Sequence, residues 1–216
     1  MEKIVIIDTG SSNILSLKRA IEIFHPKVDV TTNSESILSS NKIFFPGVGA
    51  FKKVMETLKT RKLIETLIKA KQKEIPVFGI CLGLQLFFNQ SEEFGVSKGL
   101  GLIEGEVKIL PKESKNNEKI KIPNIGWFKL NLNKKAKKER FAKFINSIDE
   151  KNFYYFVHSY FVSPIERGNI VATYNFGGHQ VPAIVSKDNL IGCQFHPEKS
   201  GKKGLELISN FIKLAN

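Results

Sequence analysis

Apolar runs too short to be helices recur through the first eighty residues, separated by segments with helical spacing. Residues 3–8, Val28 to Thr32, Lys42-Ile43-Phe44-Phe45 and Ile75 to Ile80 read as four strands. Between the first two, Ile14, Leu17, Ile21 and Phe24 fall on one helical face, with Asn13 placed to cap the helix and Pro26 to stop it. Leu63, Leu67, Ile68 and Lys71 mark another amphipathic helix. Strands alternating with helices call for right-handed crossovers and a largely parallel arrangement. The expected class is α/β: an open mixed, mostly parallel sheet flanked by helices.

The pattern changes after Phe88. Short strands are expected within 99–110 and 120–132, with a polar, exposed loop over 112–119 between them. A short helix fits 140–148, and 153–158 reads as an aromatic strand. Further strands fit 169–175, 181–186 and 189–195, with Gly177-Gly178 as a hairpin-type turn. A final helix is expected from about Gly204 to Ala215, with Leu205, Ile208, Phe211 and Ile212 inward. No internal repeat or low-complexity linker interrupts the chain, so residues 1–216 are expected to form one domain.

Composition narrows the function classes. Two cysteines among 216 residues are too few for a disulfide scaffold, so a reduced, cytoplasmic setting is expected. The first apolar run is short and ends in Asp8, which suits a strand rather than a signal peptide, and no run approaches a membrane span. The net charge of +12 raises nucleic-acid binding as an alternative. The lysines are spread along the chain, however, and the densest run, residues 134–138, has no interleaved aromatics. A lysine-rich solvated surface is the preferred reading, with no nucleic-acid and no membrane partner.

The chemistry centres on Val77-Phe78-Gly79-Ile80-Cys81-Leu82-Gly83-Leu84-Gln85. An apolar run turns at Gly-Ile-Cys-Leu-Gly and continues at helical spacing. A cysteine between close glycines at a strand-to-helix turn is a nucleophile elbow with sulfur in place of oxygen. Its helix N-terminus favours thiolate. The competing reading is a small buried residue in a glycine-flanked turn. Near the other end stands Gln194-Phe195-His196-Pro197-Glu198-Lys199-Ser200. In extended chain His196 and Glu198 point the same way, and Pro197 disfavours a helix. Glu198 can then orient the imidazole, leaving its other nitrogen for Cys81. The N–H of Leu82 and the glycine loop 46–49 are candidate oxyanion donors.

These segments together resemble the class I glutamine amidotransferases, and more closely the glutaminase subunits of imidazole glycerol phosphate synthases. The matching stretches are Asp8-Thr9-Gly10 with Asn13, PGVGAF at 46–51, GICLGLQLFF at 79–88 and SEE at 91–93. They continue with GLGLI at 99–103, GW at 126–127, YFVHSY at 155–160 and QFHPEKSG at 194–201. The resemblance implies a Cys81–His196–Glu198 triad, with Cys81 forming a glutamyl thioester. It implies oxyanion donors at Gly49 and Leu82, with a flip of the 48–49 peptide. It also implies glutamine contacts at Gln85, Glu93, Ser159 and Tyr160, and partner contacts at Trp127 and Lys199. No cofactor and no metal are implied.

The implied partner is a (βα)₈-barrel cyclase that receives ammonia in histidine biosynthesis. The chain departs from the family pattern at Ser11-Ser12 and at 123–128, which lacks the His and Asn usually flanking the Gly-Trp pair. The alternative implied by paralogues is ammonia supply for amidinated nucleotide sugars of surface polysaccharides. A third possibility is a non-catalytic interaction protein with an inert Cys81. Cys193 is expected in the core, His25 and His179 at the surface or in turns, and His158 either lines the site or braces it.

Overall fold

The computed structural model describes residues 2–10, 14–136 and 139–214. Strands β1 (Ile4–Ile7), β2 (Val28–Thr31), β3 (Lys42–Gly47) and β4 (Val77–Cys81) form where the apolar runs stand. Helix α1 (Ile14–Glu22) follows β1, α2 (Ser34–Leu38) follows β2, and α3 (Phe51–Thr60) and α4 (Leu63–Gln72) connect β3 to β4. Helix α5 (Leu82–Leu86) leaves β4 directly. Next come β5 (Gln90–Ser91), β6 (Ser97–Lys98), β7 (Gly105–Ile109), β8 (Asn124–Lys129) and β9 (Asn131–Leu132). Helix α6 (Ala142–Asn146) precedes β10 (Phe153–His158) and β11 (Tyr160–Pro164). The chain then runs through β12 (Ile170–Phe176), β13 (His179–Lys187), β14 (Leu190–Cys193) and α7 (Gly201–Ile212).

The main sheet has the order β2-β1-β3-β4-β14-β13-β12-β9. Pairing is parallel from β2 through β4 to β14 and antiparallel from β14 to β9. The expected open, mixed sheet is therefore present. Its late strand β14 adds to the parallel half and lies directly beside β4. Two smaller sheets, β10-β8 and β11-β7-β5-β6, stand beside it.

Both faces of the sheet are covered, which explains the unbroken apolar runs. Ile4, Ile6, Phe44, Phe78 and Ile80 join α1, α6 and α7 in one core. Val5, Ile7, Ile43, Phe45 and Val77 join α2, α3, α4 and α5 in the other. Alternate residues of each strand serve opposite layers. The Phe44 and Phe78 rings stand 5.0 and 5.2 Å from Phe211, tying α7 to the sheet centre.

Several expectations need correction. Helices α2 and α3 were not anticipated, although Asn33 caps α2 by accepting from Ser36 N–H, and Phe51, Val54 and Leu58 show helical spacing. Phe24 lies beyond the end of α1 and is exposed, and Ile68 stands at the solvent edge of α4. In α7 the buried set is Leu207, Ile208, Phe211 and Ile212, with Leu205 only partly covered. His25 is buried rather than superficial. Asn13, proposed as the cap of α1, and Ser11-Ser12 lie outside the described residues.

Candidate active site

Cys81 ends β4 and opens α5 with φ +53° and ψ −111°, a conformation that L-residues rarely adopt. Such a position costs on the order of 1–3 kcal/mol and persists only where its surroundings enforce it. Here β3 pairs with β4 up to Gly47 opposite Cys81, and β14 pairs on the other side up to Cys193 opposite Ile80. The strand end has nowhere else to go. Gly83 makes the sharp turn possible, because a Cβ there would stand 1.8 Å from the Phe45 carbonyl oxygen.

His196 follows β14 and so arrives next to β4. Its Nδ1 lies 2.8 Å from Glu198 Oε1, and both side chains are buried. A carboxylate only accepts, so Nδ1 carries a proton, which leaves the other ring nitrogen for Cys81 in the same cleft. The expected extended segment is instead one 3₁₀ turn, Pro197–Lys199, with proline at its first position. Proline is tolerated there because no intrahelical partner is lost. The loop is anchored to β10: His196 N–H donates to Tyr155 O at 2.9 Å. Ser200 Oγ donates to His196 O at 2.6 Å and accepts from Tyr155 N–H at 2.9 Å. Burial alone would lower the His196 pKa, but hydrogen bonds and charge from Cys81 and Glu198 outweigh it and raise it to about 10.

A cleft of about 320 Å³ opens at this point, lined by Val48, Gly49, Cys81, Leu82, Gln85, Glu93, Pro123, Val157, His158, Ser159, Tyr160 and His196. Every residue expected to bind glutamine or hold the oxyanion is therefore in one cleft with Cys81 and His196. Gly49 adopts φ +107°, and nothing lies within 4 Å of where its Cβ would be.

The remaining contacts refine the expected roles. Gln85 Nε2 donates to the Tyr160 carbonyl at 2.9 Å and to Gln194 Oε1 at 3.0 Å. Both amide hydrogens are thus taken, and only the Gln85 carbonyl oxygen remains to offer a ligand. Glu93 Oε2 accepts from Phe51 N–H at 2.6 Å, so this carboxylate also caps the N-terminus of α3. Burial, then the charges of Glu93 and Glu92, raise the Tyr160 pKa.

Sequence reasoning missed Gln194, Tyr174 and Asn124. Gln194 is fully buried, and its Nε2 lies 3.6 Å from Cys81 Sγ. The available signal was a polar residue inside the apolar stretch Leu190 to Phe195, since such a residue requires a partner. His158 both lines and braces the cleft. Its Nδ1 donates to Tyr160 O at 2.9 Å, and its Nε2 lies 2.9 Å from Tyr174 Oη, which accepts from Asn124 Nδ2 at 3.1 Å. Burial depresses the His158 pKa to about 4, and raises that of Tyr174. Cys193 is a core residue whose burial pushes its pKa well up.

Trp127 and Lys199 are exposed and lie outside the cleft lining. They sit on elements joined at Tyr155, which pairs with Trp127 in register and anchors the His196 loop. No helix among the described residues is long and apolar enough to cross a membrane.

The family model of the class I glutamine amidotransferases matches residues 5–214. The chain belongs to this family. As a class I glutamine amidotransferase it is 40% identical over 211 residues to "Imidazole glycerol phosphate synthase subunit HisH" of Oceanobacillus iheyensis, covering 98% of each chain. It is 40% identical over 209 residues to the protein of that name from Methanocaldococcus jannaschii, covering 97% of this chain and 98% of that one. A relative from Legionella pneumophila, bearing the same name with the suffix 1, is 36% identical over 214 residues, covering 99% and 100%. Among solved structures, the Trypanosoma brucei CTPS glutaminase domain with bound acivicin superposes with a TM-score of 0.64 at 17% identity, covering 100% and 96%. PurLQS from Thermotoga maritima gives 0.65 at 20% identity, covering 99% and 100%. These two likenesses concern the fold.

Proposed function

We propose that this amidotransferase is the glutaminase subunit of an imidazole glycerol phosphate synthase, releasing ammonia at Cys81 for a (βα)₈-barrel cyclase subunit. The observation that carries the chemistry is the positive-φ Cys81 at the end of β4, facing the buried His196–Glu198 pair across one cleft. The relatives reported above carry that subunit's name at 36–40% identity over nearly their whole length, which favours this acceptor over a nucleotide sugar.

His196 first takes the proton of the Cys81 thiol, and Glu198 steadies the imidazolium that results. The sulfur attacks the glutamine side-chain carbonyl, and the N–H groups of Leu82 and a reoriented Gly49 receive the oxyanion. His196 then gives its proton to the departing amine. The C–N bond breaks, ammonia leaves, and a glutamyl thioester remains on Cys81. The now neutral ring takes a proton from water as it attacks the thioester, releasing glutamate and restoring the pair. Glu198 keeps Nδ1 protonated and the ring oriented throughout. The Gln85 carbonyl oxygen and the Glu93 carboxylate suit the substrate's α-ammonium, while Ser159 and Tyr160 complete the cleft wall. Trp127 and Lys199 belong to the surface that meets the cyclase.

The test is glutamate release from glutamine by the chain alone, and with the barrel subunit and a phosphoribulosyl substrate analogue. Little turnover alone and a rise of at least tenfold in the complex are expected, with none from Cys81→Ala. Unchanged turnover in Cys81→Ala would sink the nucleophile assignment.

A further inference from the structure

The side chain of Gln194 is buried completely between Cys193 and Phe195, themselves fully buried, yet its amide is engaged at both ends. An amide can be turned either way, so what it does to Cys81 depends on which end faces the sulfur. Its neighbours decide this. The Tyr160 carbonyl oxygen can only accept, and Gln85 lies 2.9 Å from it, so the Gln85 NH₂ must face that carbonyl. The same NH₂ supplies the 3.0 Å contact to Gln194, which must therefore receive it with Oε1. The Gln194 NH₂ is left pointing at Cys81 Sγ, 3.6 Å away. His158 strengthens the anchor, because its Nδ1–H donates to the same Tyr160 carbonyl at 2.9 Å. A backbone carbonyl of β11 thus fixes, through two side-chain amides, the polarity of a donor beneath the sulfur.

We propose that Gln194 is a positioning residue for the reaction, holding an N–H donor on Cys81 Sγ in an orientation locked by Gln85 and the Tyr160 carbonyl. The proposal rests on Cys81 being the nucleophile and adds a second donor to the one facing it from His196. A donor is worth more to a thiolate than to a thiol, since charge-assisted hydrogen bonds are the stronger kind. It also constrains the sulfur rotamer, so that attack starts from one geometry. The other titratable groups around the site are His196 with Glu198 behind it, Cys193 on β14, His158 at the end of β10, and Glu93 and Tyr160 in the cleft wall. The experiment changes none of these.

The probe is iodoacetamide, with alkylation of the Cys81 peptide followed by mass spectrometry from pH 5 to 10, which separates it from the buried Cys193. Gln194→Met keeps the length of an unbranched side chain and removes the donor. It is expected to raise the alkylation midpoint by about one pH unit. Gln194→Glu keeps the shape but turns an oxygen toward the sulfur, and is expected to raise the midpoint further. A role in packing alone would not produce that order. A Gln194→Met midpoint within 0.3 unit of the parent would overturn the proposal. So would failure of both variants to fold, checked by circular dichroism, because Gln194 would then be a core residue only. Alkylation does not require turnover, so Cys81→Ala with undiminished glutamine hydrolysis would overturn the nucleophile reading separately.

Discussion

Two histidines line the cleft and are driven in opposite directions by their surroundings. His196 has a carboxylate behind it and a sulfur in front, and its pKa rises to about 10 despite burial. His158 has a carbonyl on one nitrogen and a phenol on the other, both neutral, so burial prevails and its pKa falls to about 4. The His196 contribution to stability is complete below the unfolded value near 6.5 and is lost as pH rises through about 10. The His158 contribution is complete above 6.5 and is lost as pH falls toward 4. Urea titrations at pH 7 and pH 4.5 should therefore show the parent losing about 2 kcal/mol more than His158→Gln, whose amide can still donate and accept. Equal losses would mean that His158 remains protonatable in the folded chain. The carboxylate behind His196 is two residues away and was legible in the sequence, whereas the phenol on His158 comes from Tyr174, sixteen residues away, and was not.

At the scale of elements, the reactive centre is a product of packing between β3, β4, α5 and β14. The sequence Gly-Ile-Cys-Leu-Gly announced a tight turn, but not why the second glycine is required. Helix α5 lies so close to β3 that a Cβ on Gly83 would overlap the Phe45 carbonyl oxygen, and neither backbone can yield without disturbing the sheet. Gly83→Ala is expected to lower unfolding stability by about 2–3 kcal/mol, as overpacking does, and to reduce glutamine hydrolysis sharply. A variant of parental stability would show that α5 can move off the sheet. Helix α3 makes the converse point. Its N-terminal N–H is satisfied by Glu93, forty-two residues away. Local capping signals were absent, so the helix went unanticipated.

For the whole molecule, the small sheet β8-β10 presents Ile125 and Trp127 at 61% and 52% exposure, next to the loop that carries His196. Large apolar side chains exposed together mark an interaction surface. If this surface meets the barrel subunit proposed above, Trp127→Ala is expected to weaken that binding at least tenfold by titration calorimetry while leaving urea unfolding of the free chain unchanged; unchanged binding would remove Trp127 from the interface. The alternation of apolar runs and helical spacing was enough to determine an α/β class, and local spacing was enough to nominate Cys81, His196 and Glu198. Those features depend on neighbouring residues and survive in one dimension. Only the tertiary structure decided that β14 returns beside β4, which brings residues 81 and 196 together. It also turned Gln194 toward the sulfur and left Gln85 without a free N–H. Hydrogen-bond partners far apart in sequence are chosen by which strands become neighbours, and that choice is made by the packed sheet as a whole.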